Sequence, residues 1–311
     1  MAADLLSTTA AIMLGAALLE ALIPRPAHIR LSALTPQLTR LGHKVHRADG
    51  SPRQQLQAGV LAMLVVWLPC AAGLWSVRNL ALSEPLFDLL FLLLMIESRP
   101  LRELASATRA LACQETLPLA RLQAVPWLKR ETGKLSVMGI AKAVSESCAL
   151  RLVGQWAGPL LGYALAGVQG ALLWRLTQLM SLSWSMKDPA FSHFGRAASA
   201  FYQALNAPTM LLLGLPLLLT RLKRAGWLLR NGVLWPYPAI GILLVLLADK
   251  FQTRLGGPRY YQGTLQRWPV LGLGQDPGAD MATRVLNVLQ GTGWGWLLVA
   301  LAMTLVARWH G

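Results

Sequence analysis

Charged residues are scarce in this chain. Of its 311 residues, 14% are charged and 54% are hydrophobic, whereas soluble globular domains carry about 25% charged residues. A soluble protein of this length buries a large core but still needs a well-charged surface. The shortage of charge therefore excludes an ordinary soluble domain and predicts an integral membrane protein.

Acidic residues and cysteines are also few. Lys and Arg number 29 against 14 Asp and Glu, which gives a formal net charge of +15. The basic residues form short clusters between apolar runs, a pattern typical of cytoplasmic loops and not of nucleic-acid binding. Cys70, Cys113 and Cys148 show no metal or redox spacing, so no disulfide framework is predicted. His43 and His46 lack a third ligand for a metal.

Apolar runs recur along the chain at lengths that suit membrane helices, which need about 20 residues to cross. They cover residues 5–23, 56–75, 86–96, 156–184, 207–219, 237–248 and 291–307. The runs at 207–219 and 237–248 are short, so they are either tilted spans or a re-entrant pair. Residues 101–113 have apolar residues at helical spacing and predict an interfacial helix. The predicted fold is an all-α integral membrane protein, a polytopic helical bundle with interfacial helices, formed by residues 1–311 as a single domain.

Basic residues concentrate at 24–53 and 97–153, and both loops are predicted to face the cytoplasm. Part of the second loop, residues 134–153, predicts a helix lying on the bilayer. Its apolar face holds Ile140, Ala143, Val144, Ala149 and Val153, with Lys142, Glu146 and Arg151 elsewhere. The following apolar run contains the cation Arg175, which is costly in hydrocarbon unless it snorkels, pairs or faces water. We expect Arg175 to face protein or water.

The most distinctive local sequence is Leu255-Gly256-Gly257-Pro258-Arg259-Tyr260-Tyr261-Gln262-Gly263. Its glycines allow backbone conformations that are closed to other residues, and its proline restricts the chain after them. The segment therefore predicts a tight exposed turn. The two tyrosines offer flat rings and hydroxyl groups to a large ligand. Alternatively, they anchor the loop at the lipid interface, where tyrosine is enriched.

This loop resembles the Leu-Gly-Gly-Pro pattern of the CobD/CbiB family, membrane proteins of cobalamin biosynthesis. The positions that match without a gap are Leu255, Gly256, Gly257, Pro258, Tyr261, Gly263, Pro269 and Gly272. Upstream, the positions that match in identity or in kind are Arg130, Glu131, Thr132, Glu146, Ala149, Trp174, Arg175, Gln178, Lys187 and Asn206. The resemblance covers residues 97–290 and is strongest at the glycine-rich loop.

Several acidic positions of the family pattern are not acidic here. The substituted positions, which include neighbours of those acids, are Leu150, Arg151, Gly154, Ser181, Ala200, Tyr202, Gln203 and Leu244. An ATP-dependent ligase uses carboxylates to hold Mg²⁺ against phosphates, because this hard cation prefers oxygen ligands. The loss of these acids leaves two hypotheses open, an active enzyme and a catalytically degenerate member of the family.

The resemblance implies an adenosylcobinamide-phosphate synthase. Such an enzyme joins aminopropanol or its phosphate to adenosylcobyric acid by ATP-dependent amide ligation, with ATP and Mg²⁺ as cofactors. It would use Glu146, Arg175 and Lys187 as catalytic residues and Glu146 as the metal ligand. The residues expected to bind the cofactor are Arg130, Thr132, Gln178, Asn206, Gly256, Gly257, Pro258, Tyr261 and Gly263. The alternative is a degenerate member that acts as a corrinoid-binding or scaffold membrane protein.

The expected partners are the corrinoid, aminopropanol or its phosphate, the lipid bilayer and further copies of the chain in a homo-oligomer, without nucleic acid. The expected location is the bacterial cytoplasmic (inner) membrane, crossed several times. We further expect the loop from Gly256 to Gly263 to fold over a polar face formed by Glu146, Arg175 and Lys187.

Overall fold

The computed structural model describes residues 2–26, 29–47, 49–110, 115–128, 131–133, 135–261 and 263–310. Helix dominates them, which confirms the predicted all-α class. The helices are α1 Ala2–Leu22, α2 Thr35–Val45, α3 Pro52–Asn79, α4 Glu84–Met95, α5 Arg99–Ala110, α6 Leu117–Ala124, α7 Val137–Leu152, α8 Gly158–Ser183, α9 Arg196–Leu219, α10 Ala225–Val233, α11 Pro238–Phe251 and α12 Met281–His310. Four short strands, β1 Leu255–Gly256, β2 Arg259–Tyr261, β3 Thr264–Gln266 and β4 Val270–Leu271, pair as β1 with β4 and β2 with β3.

Among the residues that the structure describes, three helices are long and apolar enough to cross a membrane. They cover Pro52–Asn79, Arg196–Leu219 and Met281–Trp309 and contain the runs predicted at 56–75, 207–219 and 291–307. The length of α9 favours the tilted-span alternative for 207–219. Helix α3 begins before its apolar run, since the Ser51 side chain accepts a hydrogen bond from the Gln54 backbone N–H and the Gln54 side chain accepts one in return.

The run at 156–184, predicted as one crossing, is instead folded back on itself. Helix α8 leaves helical geometry at Ala166 and at Gly167, whose φ of +58° lies in the left-handed region that favours glycine. After this turn the two halves pack together, and a Cβ built on Gly162 would lie 2.6 Å from the carbonyl oxygen of Gly170. The glycines permit close helix packing, and the two helices that they bring together are the halves of α8.

The close contact between the two halves of α8 continues toward the ends of the hairpin. A Cβ built on Gly158 would overlap the indole of Trp174, and one built on Gly154 would overlap the side chain of Gln178. The longer half, residues 168–183, extends only about 24 Å at about 1.5 Å per residue, whereas the hydrocarbon core is about 30 Å thick. That half is therefore too short to cross as a straight helix, and α8 is a hairpin and not the single crossing that its sequence predicts.

The chain forms two compact units, interleaved in sequence. The first unit contains Met1–Ser98, Gly154–Asn206 and Trp294–Gly311, and the second contains Arg99–Val153 and Ala207–Gly293. The single-domain assignment stays a prediction.

The core of the first unit is an aromatic cluster. Trp184, Phe191 and Phe194 are buried, and the Trp184 and Phe194 rings meet edge to face at 5.1 Å. The Trp184 indole N–H donates to the Leu38 carbonyl at 2.8 Å, so its polar atom is satisfied. This cluster fixes the C-terminal end of α8 against α2.

The core of the second unit is built on α7 and α11. The predicted apolar face of α7 is confirmed, because Ile140, Ala143, Val144, Ala149 and Val153 are all buried. Glu146, predicted to lie off that face, is also buried, with 4% of its surface exposed, because α7 is covered on other sides as well. The partners of its carboxylate, described below, explain how a charge is tolerated there. The helix predicted at 101–113 is α5, which ends at Ala110 within the described residues.

Candidate functional site

The glycine-rich loop of the second unit has the conformation that its sequence predicts. Gly256 and Gly257 have φ values of +75° and +88°, and Gly263 has a φ of +78°. Each lies in the left-handed region, where a side chain would strain the backbone. Gly263 turns the chain between β2 and β3, and the Gly257 N–H donates to the Pro269 carbonyl at 2.9 Å. The loop thus consists of two short antiparallel strand pairs, β1 with β4 and β2 with β3.

Glu146 holds this loop from α7. Its Oε1 accepts a hydrogen bond from the Gly256 backbone N–H at 2.6 Å, and its Oε2 pairs with the Arg259 guanidinium at 3.1 Å. The side chains of both partners are at most 9% exposed. A buried carboxylate is stable only when it is paired and hydrogen-bonded, and Glu146 is both. We call Glu146, Gly256 and Arg259 the loop clamp.

Arg259 is a residue that sequence reasoning missed. Its guanidinium stacks over the Trp268 ring at 4.7 Å and the Trp235 ring at 5.2 Å, and these rings meet edge to face at 4.8 Å. Both contacts are cation–π interactions. The signal in the sequence was an arginine inside the glycine-rich turn, but the tryptophans that flank it are distant in sequence. The Nε atom of Arg259 is buried without a hydrogen-bond partner, and so is the indole N–H of Trp235.

The other predicted residues of the second unit lie around the loop clamp. The Glu131 backbone N–H donates to the Tyr260 carbonyl at 3.2 Å, and its carboxylate accepts from the Gly263 N–H. Thr132 is buried, Pro258 is exposed and Tyr260 is 41% exposed. Arg130 and the side chain of Tyr261 lie outside the part of the chain that the structure describes. Lys142 approaches the loop, with its Nζ 3.5 Å from where a Cβ on Gly257 would stand.

The first unit contains the predicted residues Arg175 and Gln178. Arg175 is 1% exposed, which confirms that it faces protein and not lipid. Its guanidinium pairs with Glu97 at 3.0 Å and donates to the Gln178 side-chain oxygen. Glu97 is 4% exposed and its backbone N–H donates to the Gln155 carbonyl at 2.8 Å. The pair is thus held by the backbone at the start of the α8 hairpin.

This network extends to the segment after α1. Arg30 pairs with Glu97 at 3.7 Å, and Arg25 lies 3.8 Å from Glu20. Burial lowers the pKa of the Arg25 guanidinium, an effect that Glu20 and Glu97 oppose. Glu20 is 3% exposed and accepts hydrogen bonds from the Ser98 N–H and hydroxyl at 2.8 and 2.9 Å. Three arginines therefore face two glutamates in a buried network.

Two of the positions where the family pattern has an acid meet in this unit. They are Gly154 and Tyr202, and a Cβ built on Gly154 would overlap the Tyr202 hydroxyl. That hydroxyl accepts a hydrogen bond from the Gln178 side-chain nitrogen at 3.3 Å. The absence of a side chain at Gly154 thus makes room for Tyr202. A neutral phenol fills the place where the resemblance expects negative charge.

Lys187 and Asn206 complete the predicted set. Lys187 is exposed in the segment after α8, where its backbone N–H donates to the Ser185 hydroxyl at 3.4 Å. Asn206 is 1% exposed and accepts a hydrogen bond from the Trp174 indole at 3.0 Å. The structure therefore brings Glu146 together with Gly256, and Arg175 together with Gln178, in separate units. The closure of the loop over Arg175 and Lys187 stays a prediction.

The carboxylates do not fit a Mg²⁺ ion. Among the residues that the structure describes, no group of three or more His, Cys, Asp or Glu side chains could hold a metal ion. Glu146, the predicted metal ligand, pairs with Arg259, and Glu97 pairs with Arg175. The positive charge of each arginine occupies the place of a cation and repels another.

The sequence agrees with a known family over most of its length. The model of the CobD/Cbib protein family matches residues 13–289. The chain belongs to the CobD/CbiB family. This confirms the resemblance seen at 97–290 and extends it to α1.

Its relatives in the CobD/CbiB family include full-length proteins. The cobalamin biosynthesis protein CobD of Stutzerimonas stutzeri is 30% identical over 293 residues, which are 93% of this chain and 96% of that protein. The protein of the same name from Chromobacterium violaceum is 28% identical over 251 residues, 80% of each chain. That of Mycobacterium tuberculosis is 29% identical over 170 residues, 50% of this chain and 53% of that protein. No solved structure matches the chain.

Proposed function

We propose that this protein acts in cobalamin biosynthesis as a membrane protein that binds a corrinoid and does not carry out the amide ligation. The pathway is supported by the names of its full-length relatives and by the family match. The membrane is supported by three helices of sufficient length and apolarity. We place it in the bacterial inner membrane, which it would cross several times.

The observation that carries this proposal is the neutral contact between Gly154 and Tyr202. In the resemblance both positions are acidic, and here their space is filled by a phenol that bonds Gln178. The remaining buried carboxylates in the predicted site are neutralised by Arg259 and Arg175. A ligase that uses Mg²⁺-bound ATP needs carboxylate oxygens directed at the cation. The described residues of the predicted site do not offer carboxylate oxygens in that form.

Binding of a corrinoid requires a complementary surface but no catalytic carboxylates. A corrinoid is a large flat ligand with polar amide or carboxyl groups at its rim. The second unit offers an exposed tyrosine ring, Tyr260, on a loop fixed by three glycines and the loop clamp. A preformed loop orders little on binding, which favours affinity.

The second candidate is the reaction implied by the resemblance, ATP-dependent ligation of aminopropanol or its phosphate to adenosylcobyric acid. It is favoured by the gap-free match of the glycine-rich loop, whose glycines all have the positive φ that such a motif requires. Glu146, Arg175 and Lys187 would then bind or orient the reactants. For Glu146 to do so, the loop clamp would have to open.

One experiment separates the two candidates. The gene is expressed in a strain that lacks the synthase, and cobalamin-dependent growth is measured on cobyric acid with membrane expression verified. Binding of cobyric acid to the purified protein is measured in parallel by equilibrium dialysis. We expect binding without growth. Growth would overturn the absence of ligation, and failure of both binding and growth would overturn corrinoid binding itself.

A matched pair of variants tests the loop. Tyr260→Ala removes the exposed ring and should weaken the binding of cobyric acid at least fivefold. Trp309→Ala removes an even more exposed ring, 87% exposed, in the other unit and should leave binding unchanged. Equal effects of the two variants would contradict the assignment of the loop.

A further inference from the structure

A groove in the first unit has not been used by the proposed function. It is lined by α1, α4 and the end of α12, encloses about 630 Å³ and is mostly apolar. This volume is within the range of about 300–1,000 Å³ for ligand sites. Ala11 and Gly15 form one wall, and Leu89 packs so closely that a Cβ on Gly15 would lie 3.2 Å from its Cδ1.

The polar residues of the groove gather at one end. Thr8 lies early in α1, Ser83 immediately precedes α4, and Arg308 lies in the last turn of α12. From that end, the lining residues of all three helices become apolar, and they finish at Gly15, Leu89 and Leu301. The groove thus has a polar end, which we call the mouth, and an apolar remainder. This arrangement matches the polar head and apolar tail of an amphipathic molecule.

The surroundings identify the polar end with a membrane interface. Helix α12 is long and apolar enough to cross, and Trp309, next to Arg308, is 87% exposed. Tryptophan is enriched where hydrocarbon meets head groups. The apolar length of the groove would then lie at the depth of acyl chains.

We infer that this groove binds one anionic phospholipid. An acyl chain lies along the apolar wall, and the phosphate lies at the mouth, beside the Arg308 guanidinium and the hydroxyl groups of Thr8 and Ser83. Among the described lining residues, Arg308 is the only charged one, so the mouth favours an anionic head group. An arginine at a membrane surface raises the affinity for an anionic lipid about fivefold.

The test uses the full-length protein, delipidated in a neutral detergent. Phosphatidylglycerol and phosphatidylcholine with identical acyl chains are titrated, and bound lipid is counted by native mass spectrometry. We expect phosphatidylglycerol to bind at least fivefold more tightly, and Arg308→Gln to abolish that preference. The control Arg53→Gln changes an exposed arginine at the start of α3 and should leave the preference intact.

A second pair of variants tests the apolar length. Leu86→Trp fills the groove from a residue that is 54% exposed, whereas Leu90→Trp changes a residue of the same helix that is 56% exposed and does not line the groove. We expect the first to lose both lipids and the second to lose neither. The inference is overturned if the wild-type protein binds both lipids equally, or if Leu86→Trp has no effect. It is also overturned if inorganic phosphate alone raises Tm as much as phosphatidylglycerol does.

Discussion

The loop clamp makes a quantitative prediction. Glu146→Gln keeps a side-chain oxygen that can accept the Gly256 N–H but removes the charge that pairs with Arg259. The guanidinium then stays buried without its counter-ion. Removing one partner of a buried ion pair typically costs about 3–5 kcal/mol.

For Glu146→Gln, we expect the loss of stability to be near the lower limit of this range. Arg259 keeps both tryptophan rings, at 4.7 and 5.2 Å, and cation–π contacts contribute about 0.5–2 kcal/mol each. We therefore expect a loss of about 3 kcal/mol. At about 2 °C per kcal/mol, the lower end of the scale for proteins of 150–250 residues, Tm falls by roughly 6 °C.

Thermal unfolding in detergent, followed by tryptophan fluorescence, measures this change. Glu84→Gln is the matched control, because Glu84 is 57% exposed in its pair with Arg78 and should cost at most about 1 kcal/mol. The double variant Glu146→Gln/Arg259→Met leaves no stranded charge and should be more stable than Glu146→Gln alone. The reasoning is refuted if Glu146→Gln unfolds within 1 °C of the wild-type protein, or if the double variant is the less stable one.

Three further predictions concern buried groups. Gly154→Ala should lower the thermal stability or the yield of folded protein through its overlap with the Tyr202 hydroxyl, and Tyr202→Ala should restore part of it; no rescue would contradict the overlap. Arg175→Gln should cost up to about 3–5 kcal/mol, because Glu97 loses its closer partner and keeps only Arg30 at 3.7 Å, and Glu97→Gln in the same chain should recover stability, as thermal unfolding can show. Burial raises the pKa of Cys148 from 9.0 to about 12, so stability falls as pH rises above 9. At pH 10, Cys148→Ala should remove about 1 kcal/mol of that fall, and an unchanged pH profile would contradict it.

Local features of the fold were predictable from sequence. The glycine-rich turn was predicted because glycine and proline restrict the backbone wherever they occur, and the observed φ values agree. The apolar face of α7 followed from helical spacing alone. Arg175 was expected to face protein or water because an isolated cation in hydrocarbon is unstable, and it is buried against Glu97.

The partners in the site were not predictable. Glu146 and Gly256 are 110 residues apart, and nothing in the composition of either segment specifies the other. The family resemblance suggested Glu146 as a metal ligand, but the arginine that pairs with it lies outside the matched positions. The turn at Gly167 was missed for a different reason. An apolar run with several glycines is consistent with either a straight span or a hairpin, and the choice depends on packing partners.

The α8 hairpin also bears on the order of folding. Its contacts, such as Gly162 with Gly170, join residues that are near in sequence, whereas Glu97 and Arg175 are 78 residues apart. Contacts between near residues lose little chain entropy when they close, so they form early. The hairpin can therefore assemble as soon as it is synthesised and present Arg175 on a finished surface. The Glu97 segment, which is synthesised earlier, then pairs with an Arg175 side chain that is already in position.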